Sequence, residues 1–278
     1  MKIALFGGLY SNYPALESAI ADASLRGVDS MYCLGDLGAF GPHPDRIFPV
    51  LRDNNIKCVL GNYDDSIGNE LDDCQCGYTD PRDNHFAQIS YDYTLKNTSG
   101  DNKTWLRQLP KEIRLNVDGL QVLLCHGSPR RTNEFLWEST TSSAFLERLC
   151  QESNADVIVG THSGIHWECE LSSGRRYVNV GVLGRPENDG RTCVWYAIVR
   201  TGKDADPHSG SPGHATSLSK EYFPLNVDFL PVDYDYRRLA KEMRQESLPE
   251  EFIHTIVNGW WTTCLEILPS RERRAGRY

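Results

Sequence analysis

The chain has 278 residues, of which 40% are hydrophobic and 24% charged, and its formal net charge is −9. This length allows one large α/β domain or two small ones, and the composition excludes a disordered, collagenous or coiled-coil protein. The acidic charge excludes a general binder of nucleic acid or acidic membranes, because its average field repels polyanions. No apolar run approaches the roughly 18 residues that a membrane span needs.

Short runs of apolar and β-branched residues recur along the chain, each followed by glycine or a polar residue. They predict strands, buried on both faces, over residues 2–6, 31–34, 57–60, 121–125, 156–159, 177–180 and 193–199. Helical patterns lie between them, over residues 14–27, 81–95 and 140–151. A strand, helix, strand order at this spacing predicts parallel strands joined by right-handed crossovers.

The composition changes near residues 202–220, which are rich in Gly, Pro, Ser and Asp and predict a loop. A short strand over 227–230 and helices over 234–245 and 249–268 are predicted after it. The second helix carries apolar residues at every fourth position, which indicates a packing face. They are Phe252, Ile256, Trp260 and Cys264.

We therefore predict a core over residues 1–202, a loop over 203–222 and a C-terminal extension over 223–278. Trp261 lies beside the apolar stripe of the extension and indicates that the last helix meets a second surface. That surface is either the core or a second subunit, so a homo-oligomer formed through the C-terminal helices is one expectation.

Four polar residues follow the second to fifth predicted strands: Asp36, Asn62, His126 and His162. Ligands of parallel α/β sheets bind where the strands end, so we expect these side chains to converge. Oxygen and imidazole donors suit Mn, Fe, Zn or Ni better than calcium. Asp36 alone would be read more simply as a helix N-cap, but the four together predict a transition-metal site.

The motifs at these strand ends are Gly-Asp, Gly-Asn-x-Asp, His-Gly-Ser-Pro and a final His, in that order. In this order the sequence resembles the bacterial branch of the calcineurin-like metallophosphoesterase family, over about residues 1–200. The resemblance implies a sandwich of two mixed β-sheets flanked by helices, and a two-metal centre that hydrolyses phosphate esters. It also implies that Asp36 bridges the metals and that Asn62, His126 and His162 hold the second one.

The sequence departs from the family pattern at the ligands of the first metal. Gly8 and Tyr10 stand where the family has an Asp-x-His motif, and Gly164 stands where it has its last His. The resemblance therefore implies one divalent transition metal per chain. One metal polarises a phosphoryl oxygen but cannot hold the attacking and leaving oxygens as a metal pair does. Two roles are open for Tyr10: a phenolate ligand of a ferric ion, or a space-filling residue that offers its hydroxyl to substrate.

Other residues are candidates for the site because they lie within or directly after these motifs. Tyr63 stands where many members of the family carry the His that protonates the leaving group, so Tyr63 with Asp64 is predicted as a weak general acid, with an aromatic wall as the alternative. Arg130 and Arg131 directly follow the His-Gly-Ser-Pro motif and are predicted to bind substrate as a phosphate fork, with exposed loop arginines as the alternative. Arg185 is open to the same two interpretations, a residue that binds the phosphate of the substrate or an exposed loop arginine.

The nine cysteines are an odd number, and Cys33, Cys58, Cys125 and Cys193 lie in strand-like runs, which favours reduced, buried thiols. The N-terminal apolar stretch is too short for a signal-peptide core, so we expect a cytoplasmic protein. A disulfide between Cys74 and Cys76 is not expected in that compartment. Their segment is predicted to cover the substrate, with metal ligation or redox chemistry as alternatives.

Three functions remain open at this point. The first is a metal-dependent phosphoesterase-like hydrolase acting on a small phosphorylated metabolite, either a phosphomonoester or a phosphodiester. The second is a non-hydrolytic binding protein on the same fold. The third is a metal-dependent lyase or redox enzyme that uses Tyr10 and the Cys74 and Cys76 segment.

Overall fold

The computed structural model describes residues 1–202 and 225–273 of the chain. The whole of the predicted loop over 203–222 lies outside the described residues. The strands are β1 (Lys2–Phe6), β2 (Ser30–Cys33), β3 (Lys57–Cys58), β4 (Glu112–Val117), β5 (Leu120–Cys125), β6 (Val157–Gly160), β7 (His166–Glu170), β8 (Arg176–Val180), β9 (Val194–Thr201) and β10 (Leu225–Val232). The α-helices are α1 (Tyr13–Leu25), α2 (Ile47–Asp53), α3 (Asn62–Asn69), α4 (Pro81–Asn97), α5 (Gly100–Leu106), α6 (Ser143–Glu152), α7 (Tyr236–Gln245), α8 (Glu250–Asn258) and α9 (Ser270–Arg273).

The strands form two five-stranded sheets, in the orders β10-β9-β1-β2-β3 and β4-β5-β6-β8-β7. Both sheets are mixed. In the first, β1 pairs parallel with β2 and antiparallel with β9, and in the second β5 pairs parallel with β6 and antiparallel with β4. The predicted fold class, a sandwich of two mixed sheets flanked by helices with a C-terminal helical extension, is confirmed.

Strand β1 shows how the layers are built. Ile3 and Leu5 point between the sheets, into an apolar layer shared with β5, β6 and β8. Ala4 and Phe6 point to the opposite face, where they pack against the helices that cover the first sheet. This alternation buries both faces of β1, as the continuous apolar run of the sequence predicts.

Helix α1 forms as predicted because residues at its start and along its own length determine where it begins and which face is buried. The Asn12 side chain accepts a hydrogen bond from the Ala15 amide at 3.1 Å, and Pro14 lies in the first turn. Leu16 and Ile20 lie on the face that packs on the first sheet. Helix α6 covers the second sheet in the same way with Leu146, Leu149 and Cys150.

The C-terminal extension packs on the core of the same chain. Strand β10 pairs antiparallel with β9 over eight residues. The buried face of α8 includes Phe252, whose ring lies 5.0 Å from that of Phe40 and 5.9 Å from that of Phe86. Pairing with a second subunit through these helices stays a prediction.

The predicted helix over 249–268 is wrong in its length. Helix α8 ends at Asn258 because Gly259 adopts a φ of +68°, and a Cβ atom there would lie 2.1 Å from the Arg191 carbonyl oxygen. Trp260 and Cys264 therefore lie beyond the helix, and the four-residue periodicity does not describe one helical face.

None of the helices in residues 1–202 and 225–273 combines the length and the apolar character needed to cross a bilayer.

Candidate metal centre

Asp36, His126 and His162 come together where the two sheets meet. Asp36 follows β2 of the first sheet, whereas the two histidines follow β5 and β6 of the second. One ligand atom from each residue lies within 4.8 Å of the others, and all three side chains are buried. His126 Nε2 lies 3.2 Å from Asp36 Oδ2 and 3.2 Å from His162 Nδ1.

A backbone carbonyl fixes the tautomer of His126. Its Nδ1 lies 2.5 Å from the carbonyl oxygen of Leu34, which can only accept a hydrogen bond, so Nδ1 carries the proton. In the neutral ring the lone pair then belongs to Nε2, which faces Asp36 and His162. This arrangement of one anchored ring nitrogen and one free nitrogen is the usual one for a metal-ligating histidine.

The Asn62 side chain carries an acceptor that has no partner in the described part of the chain. Its Nδ2 donates to the Cys74 carbonyl oxygen at 2.8 Å and to Cys76 Sγ at 3.4 Å, which fixes the orientation of the amide. Within the described residues its Oδ1 is buried without a hydrogen bond, and so is Nε2 of His162, the ring nitrogen that does not face His126. Buried acceptors are almost always satisfied. The unsatisfied amide oxygen of Asn62, next in the chain to Tyr63, whose amide donates to Asp36, therefore fits a bound cation.

The charges of Asp36 and His162 favour this fit, whereas, against the effect of burial, Asp36 raises the pKa of His126, so a metal there would displace a proton from that ring. Burial raises the pKa of Asp36, but His126 and His162 outweigh it and the net pKa is lowered, so the carboxylate is ionised at neutral pH. Burial, with His126 beside it, lowers the pKa of His162 to about 3, so this ring is neutral. An anionic oxygen and a neutral imidazole are the protonation states that a divalent transition metal binds.

Asp64 holds the backbone around the cluster. Its carboxylate accepts hydrogen bonds from the amides of Asp36, Leu37 and Gly61 at 2.8, 3.0 and 2.9 Å. Burial and the nearby Asp36 charge raise the pKa of Asp64 to about 6. These contacts join the loop after β2 to the start of α3, which gives Asp64 a positioning role.

The backbone of Tyr63 contacts the cluster, whereas its hydroxyl contacts α4. Its amide donates to Asp36 Oδ1 at 3.1 Å. The hydroxyl donates toward the Ala87 carbonyl at 3.2 Å or toward Ser90 Oγ at 2.9 Å, both on α4. In this structure Tyr63 forms a buried wall, and its role as a general acid stays a prediction.

Arg130 and Arg131 follow β5 on an exposed loop. The Arg130 guanidinium pairs with Glu134 and lies 4.9 Å from the ring centroid of Phe145. The Arg131 guanidinium donates to Asn133 Oδ1 at 3.3 Å. Within the described residues neither guanidinium bonds to the cluster, and their predicted contact with substrate stays a prediction.

Tyr10, Trp261 and Arg185 fill the space beside the positions of the missing first-metal ligands. A Cβ atom on Gly8 would lie 2.7 Å from the Tyr10 ring. A Cβ atom on Gly164 would lie 2.9 Å from the Trp261 ring and 3.7 Å from a guanidinium nitrogen of Arg185. Burial raises the pKa of Tyr10 well above 10, against the opposing effect of Arg185, so the phenol is protonated in this environment.

The sequence pattern indicated Arg185 only weakly and predicted Trp261 on a helix. Trp261 reaches the site because its amide donates to Asn188 Oδ1 at 3.0 Å and its Nε1 to the Pro186 carbonyl at 2.8 Å. Both bonds join residues more than 70 positions apart, and a local sequence pattern does not predict such contacts. The adjacent tryptophans that follow Gly259 are the sequence signal that would have raised the question.

The expectation that Cys74 and Cys76 stay reduced is wrong for this structure, which joins them in a disulfide. The backbone makes the pairing accessible because Gln75 adopts a φ of +52° and the two Cα atoms lie 5.3 Å apart. That separation is within the usual range for disulfides. The pair lies against Asn62, on one side of a cleft of about 390 Å³.

Two mixed sheets with an Asp, an Asn and two His at the strand ends where they meet define a metallophosphoesterase-like protein. Residues 1–204 match the family described as the calcineurin-like phosphoesterase superfamily domain, and the chain belongs to this superfamily. The finer assignment to its bacterial branch stays a prediction.

Similar proteins cover nearly the whole chain. The uncharacterized protein MJ0912 of Methanocaldococcus jannaschii is 24% identical over 251 residues, which are 89% of this chain and 94% of that protein. The crystal structure of hypothetical protein PH1004 from Pyrococcus horikoshii OT3 matches with a TM-score of 0.71 and 18% identity, covering 94% of this chain and 99% of that one. A metallophosphoesterase from Sphaerobacter thermophilus matches with a TM-score of 0.64 and 22% identity, covering 93% and 99%. The two structures show the fold.

Proposed function

We propose that this chain is a metal-dependent phosphoesterase that hydrolyses a small phosphorylated metabolite at a centre with one divalent transition metal, Mn, Fe, Zn or Ni. The observation that carries the proposal is the buried cluster of Asp36, His126 and His162, whose ligand atoms lie within 4.8 Å of one another, together with the buried Asn62 Oδ1, which has no hydrogen-bond partner among the described residues. Membership of a phosphoesterase superfamily supports the reaction class.

The residues of the centre have separate tasks in this proposal. Asp36, Asn62, His126 and His162 would hold the metal, which supplies Lewis acidity toward a phosphoryl oxygen when bound. The Leu34 carbonyl keeps the proton of His126 on Nδ1, and the Cys74 and Cys76 segment orients the Asn62 amide. Asp64 holds the backbone of Asp36 in position.

The first experiment measures metal content and activity together. Protein purified without added metal is expected to contain one equivalent of transition metal by elemental analysis. Asn62→Ala is expected to lower metal affinity by more than the roughly 10–100-fold that outer partners of metal ligands cost, because it removes a direct ligand. Hydrolysis of an aryl phosphomonoester and an aryl phosphodiester should fall with the metal content.

Asn102→Ala is the matched control, because Asn102 is also a buried asparagine with two side-chain bonds, to Arg52 and Asp45. It should keep one equivalent of metal. Two equivalents in the native protein would refute the single-metal centre.

A second candidate function is binding of a phosphorylated ligand without hydrolysis. Tyr10 and Trp261 favour it because they fill the space beside the first-metal positions with side chains. Native protein that holds one metal and binds phosphate, yet hydrolyses neither aryl ester, would select this function over the first.

A further inference from the structure

Arg185 is held against the loop that carries Tyr10. It follows Gly184, whose amide donates to the Gly8 carbonyl oxygen at 2.8 Å. The Asn12 side chain donates to the Gly184 carbonyl oxygen at 3.0 Å. The backbone of Arg185 is therefore fixed beside the loop after β1, where the family carries ligands of its first metal.

The guanidinium of Arg185 is buried among aromatic rings. Its central carbon lies 3.6, 5.3 and 5.8 Å from the ring centroids of Trp261, Phe40 and Tyr10. The residue is only 6% exposed. Cation–π contacts of this kind hold a guanidinium in place but provide no counter-ion.

Among the residues that the structure describes, Arg185 has no anionic partner. Within residues 1–202 and 225–273 its guanidinium forms no hydrogen bond or ion pair, and its Nε is buried and unsatisfied. A buried charge without a partner is strongly unfavourable, whereas nearly all buried arginines are paired. An arrangement that carries this cost points to a charged ligand that arrives from outside.

The position of the guanidinium indicates where in the structure such a ligand would bind. One of its nitrogens would lie 3.7 Å from a Cβ atom on Gly164, which stands two residues after His162 and in the place of the family's last metal-binding His. The guanidinium carbon of Arg185 lies 5.8 Å from the centroid of the Tyr10 ring, and the Tyr10 amide donates to the Asp36 carbonyl oxygen at 3.2 Å, so Tyr10 contacts both residues. Arg185 thus lies beside the cluster, on the side of the lost metal.

We propose that Arg185 supplies the second positive charge of the site, in place of the first metal, and binds the phosphoryl oxygens of the substrate. A guanidinium suits this task because its planar set of N–H donors can contact two oxygens of one phosphoryl group. The assignment rests on the proposed phosphoesterase function and deepens it by naming the residue that recognises the phosphoryl group.

The test uses Arg185→Met, which keeps much of the length and apolar stem of the side chain but removes its charge. Metal-loaded protein is titrated with inorganic phosphate by calorimetry, and the hydrolysis of an aryl phosphomonoester is followed in parallel. We expect phosphate affinity to fall at least 10-fold and KM to rise by a similar factor, with metal content unchanged. Arg185→Lys should recover part of the phosphate affinity, because it restores the positive charge but not the planar set of N–H donors.

The melting temperature without phosphate separates this role from a structural one. Arg185→Met should leave it unchanged or raise it, because the variant removes an unpaired buried charge. A packing role for Arg185 predicts a lower melting temperature and unchanged phosphate affinity, and that result would overturn the proposal. If Arg185→Met does not fold, the same titration of Arg185→Lys decides: phosphate affinity within twofold of the native protein also overturns it.

The control is Arg52→Met, because Arg52 also lies over two aromatic rings, those of Phe48 and Trp105, and bonds to Asn102 rather than to the cluster. It should leave phosphate binding unchanged. Failure of the proposed function has a different signature: native protein without metal that still binds phosphate through Arg185 would refute the metal centre and support the anion site.

Discussion

Three residues of the candidate centre adopt left-handed backbone conformations that residues with side chains rarely adopt. The φ angles are +49° for Tyr10, +53° for Asp36 and +69° for His162. Each such residue costs on the order of 1 kcal/mol or more, and this cost persists only where surrounding contacts fix the chain. The Asp36 carbonyl oxygen supplies some of those contacts, accepting hydrogen bonds from the amides of Leu9 and Tyr10.

Asp64 supplies further contacts, and its removal is the sharpest test of how the centre is built. Asp64→Ala leaves three buried amides without an acceptor, those of Asp36, Leu37 and Gly61. An unsatisfied buried donor costs about 1–3 kcal/mol, so we expect the free energy of unfolding to fall by about 3 kcal/mol or more in urea. Metal affinity should fall with it.

Asp65→Ala provides the control for this change. Asp65 is the next residue of α3, and its carboxylate bonds only to the Asn69 side chain within the described part of the chain. Its removal should cost less than about 1 kcal/mol. A loss of less than 1 kcal/mol for Asp64→Ala as well would show that water replaces the carboxylate and that Asp64 does not organise the loop.

At the scale of elements, the end of α8 decides where Trp261 and thus the wall around Arg185 lie. Gly259 ends the helix in a left-handed conformation, and a Cβ atom there would collide with the Arg191 backbone. We expect Gly259→Ala to lower the free energy of unfolding by about 2 kcal/mol or more. The left-handed backbone of a non-glycine residue contributes about 1 kcal/mol, and displacement of Arg191 contributes the rest.

Gly27→Ala is a matched control because Gly27 has a nearly identical φ of +67° and nothing within 4 Å of the added Cβ atom. It should show only the backbone cost of about 1 kcal/mol. Equal losses for the two variants, measured by urea unfolding, would mean that the contact of Gly259 with Arg191 relaxes freely and does not determine the helix end.

The elements that sequence reasoning predicted well are those with local signals. The Asn12 cap and Pro14 mark the start of α1, and the apolar run of residues 2–6 matches β1. The short polar helix α3 was not predicted because its first residues read as a metal-binding motif with few apolar positions. The residues of the cluster were found through motif order, whereas Arg185 has no motif and is assigned by long-range contacts.

At the scale of the whole molecule, the site depends on three parts of the chain that are distant in sequence. The first sheet provides Asp36, the second provides His126 and His162, and the C-terminal extension provides Trp261. The extension is therefore expected to stabilise the core as well as to enclose the site. The buried apolar side chains of α7 and α8 share one cluster with α1, α2 and α4.

This packing predicts that a chain ending at Lys220 will aggregate. The truncation removes β10, leaving the edge of β9 unpaired over eight residues, and an unpaired edge is a template for association. It also removes five large buried apolar side chains of α7 and α8. Each contributes about 1.5–3 kcal/mol, so the loss is of the order of the whole stability of a domain. They are Leu239, Met243, Phe252, Ile253 and Ile256.

Light scattering of the truncated and full-length chains checks this prediction. A point substitution in α8 tests the same packing without shortening the chain. Phe252→Ala should cost about 3–5 kcal/mol because it opens a cavity beside Phe40 and Phe86, whereas His254→Ala on the exposed side of α8 should cost less than about 0.5 kcal/mol. A truncated chain that stays in solution, keeps its assembly state and retains its metal would contradict the prediction. The extension would then be an independent module, and its apolar helix faces would belong to an interface with another protein.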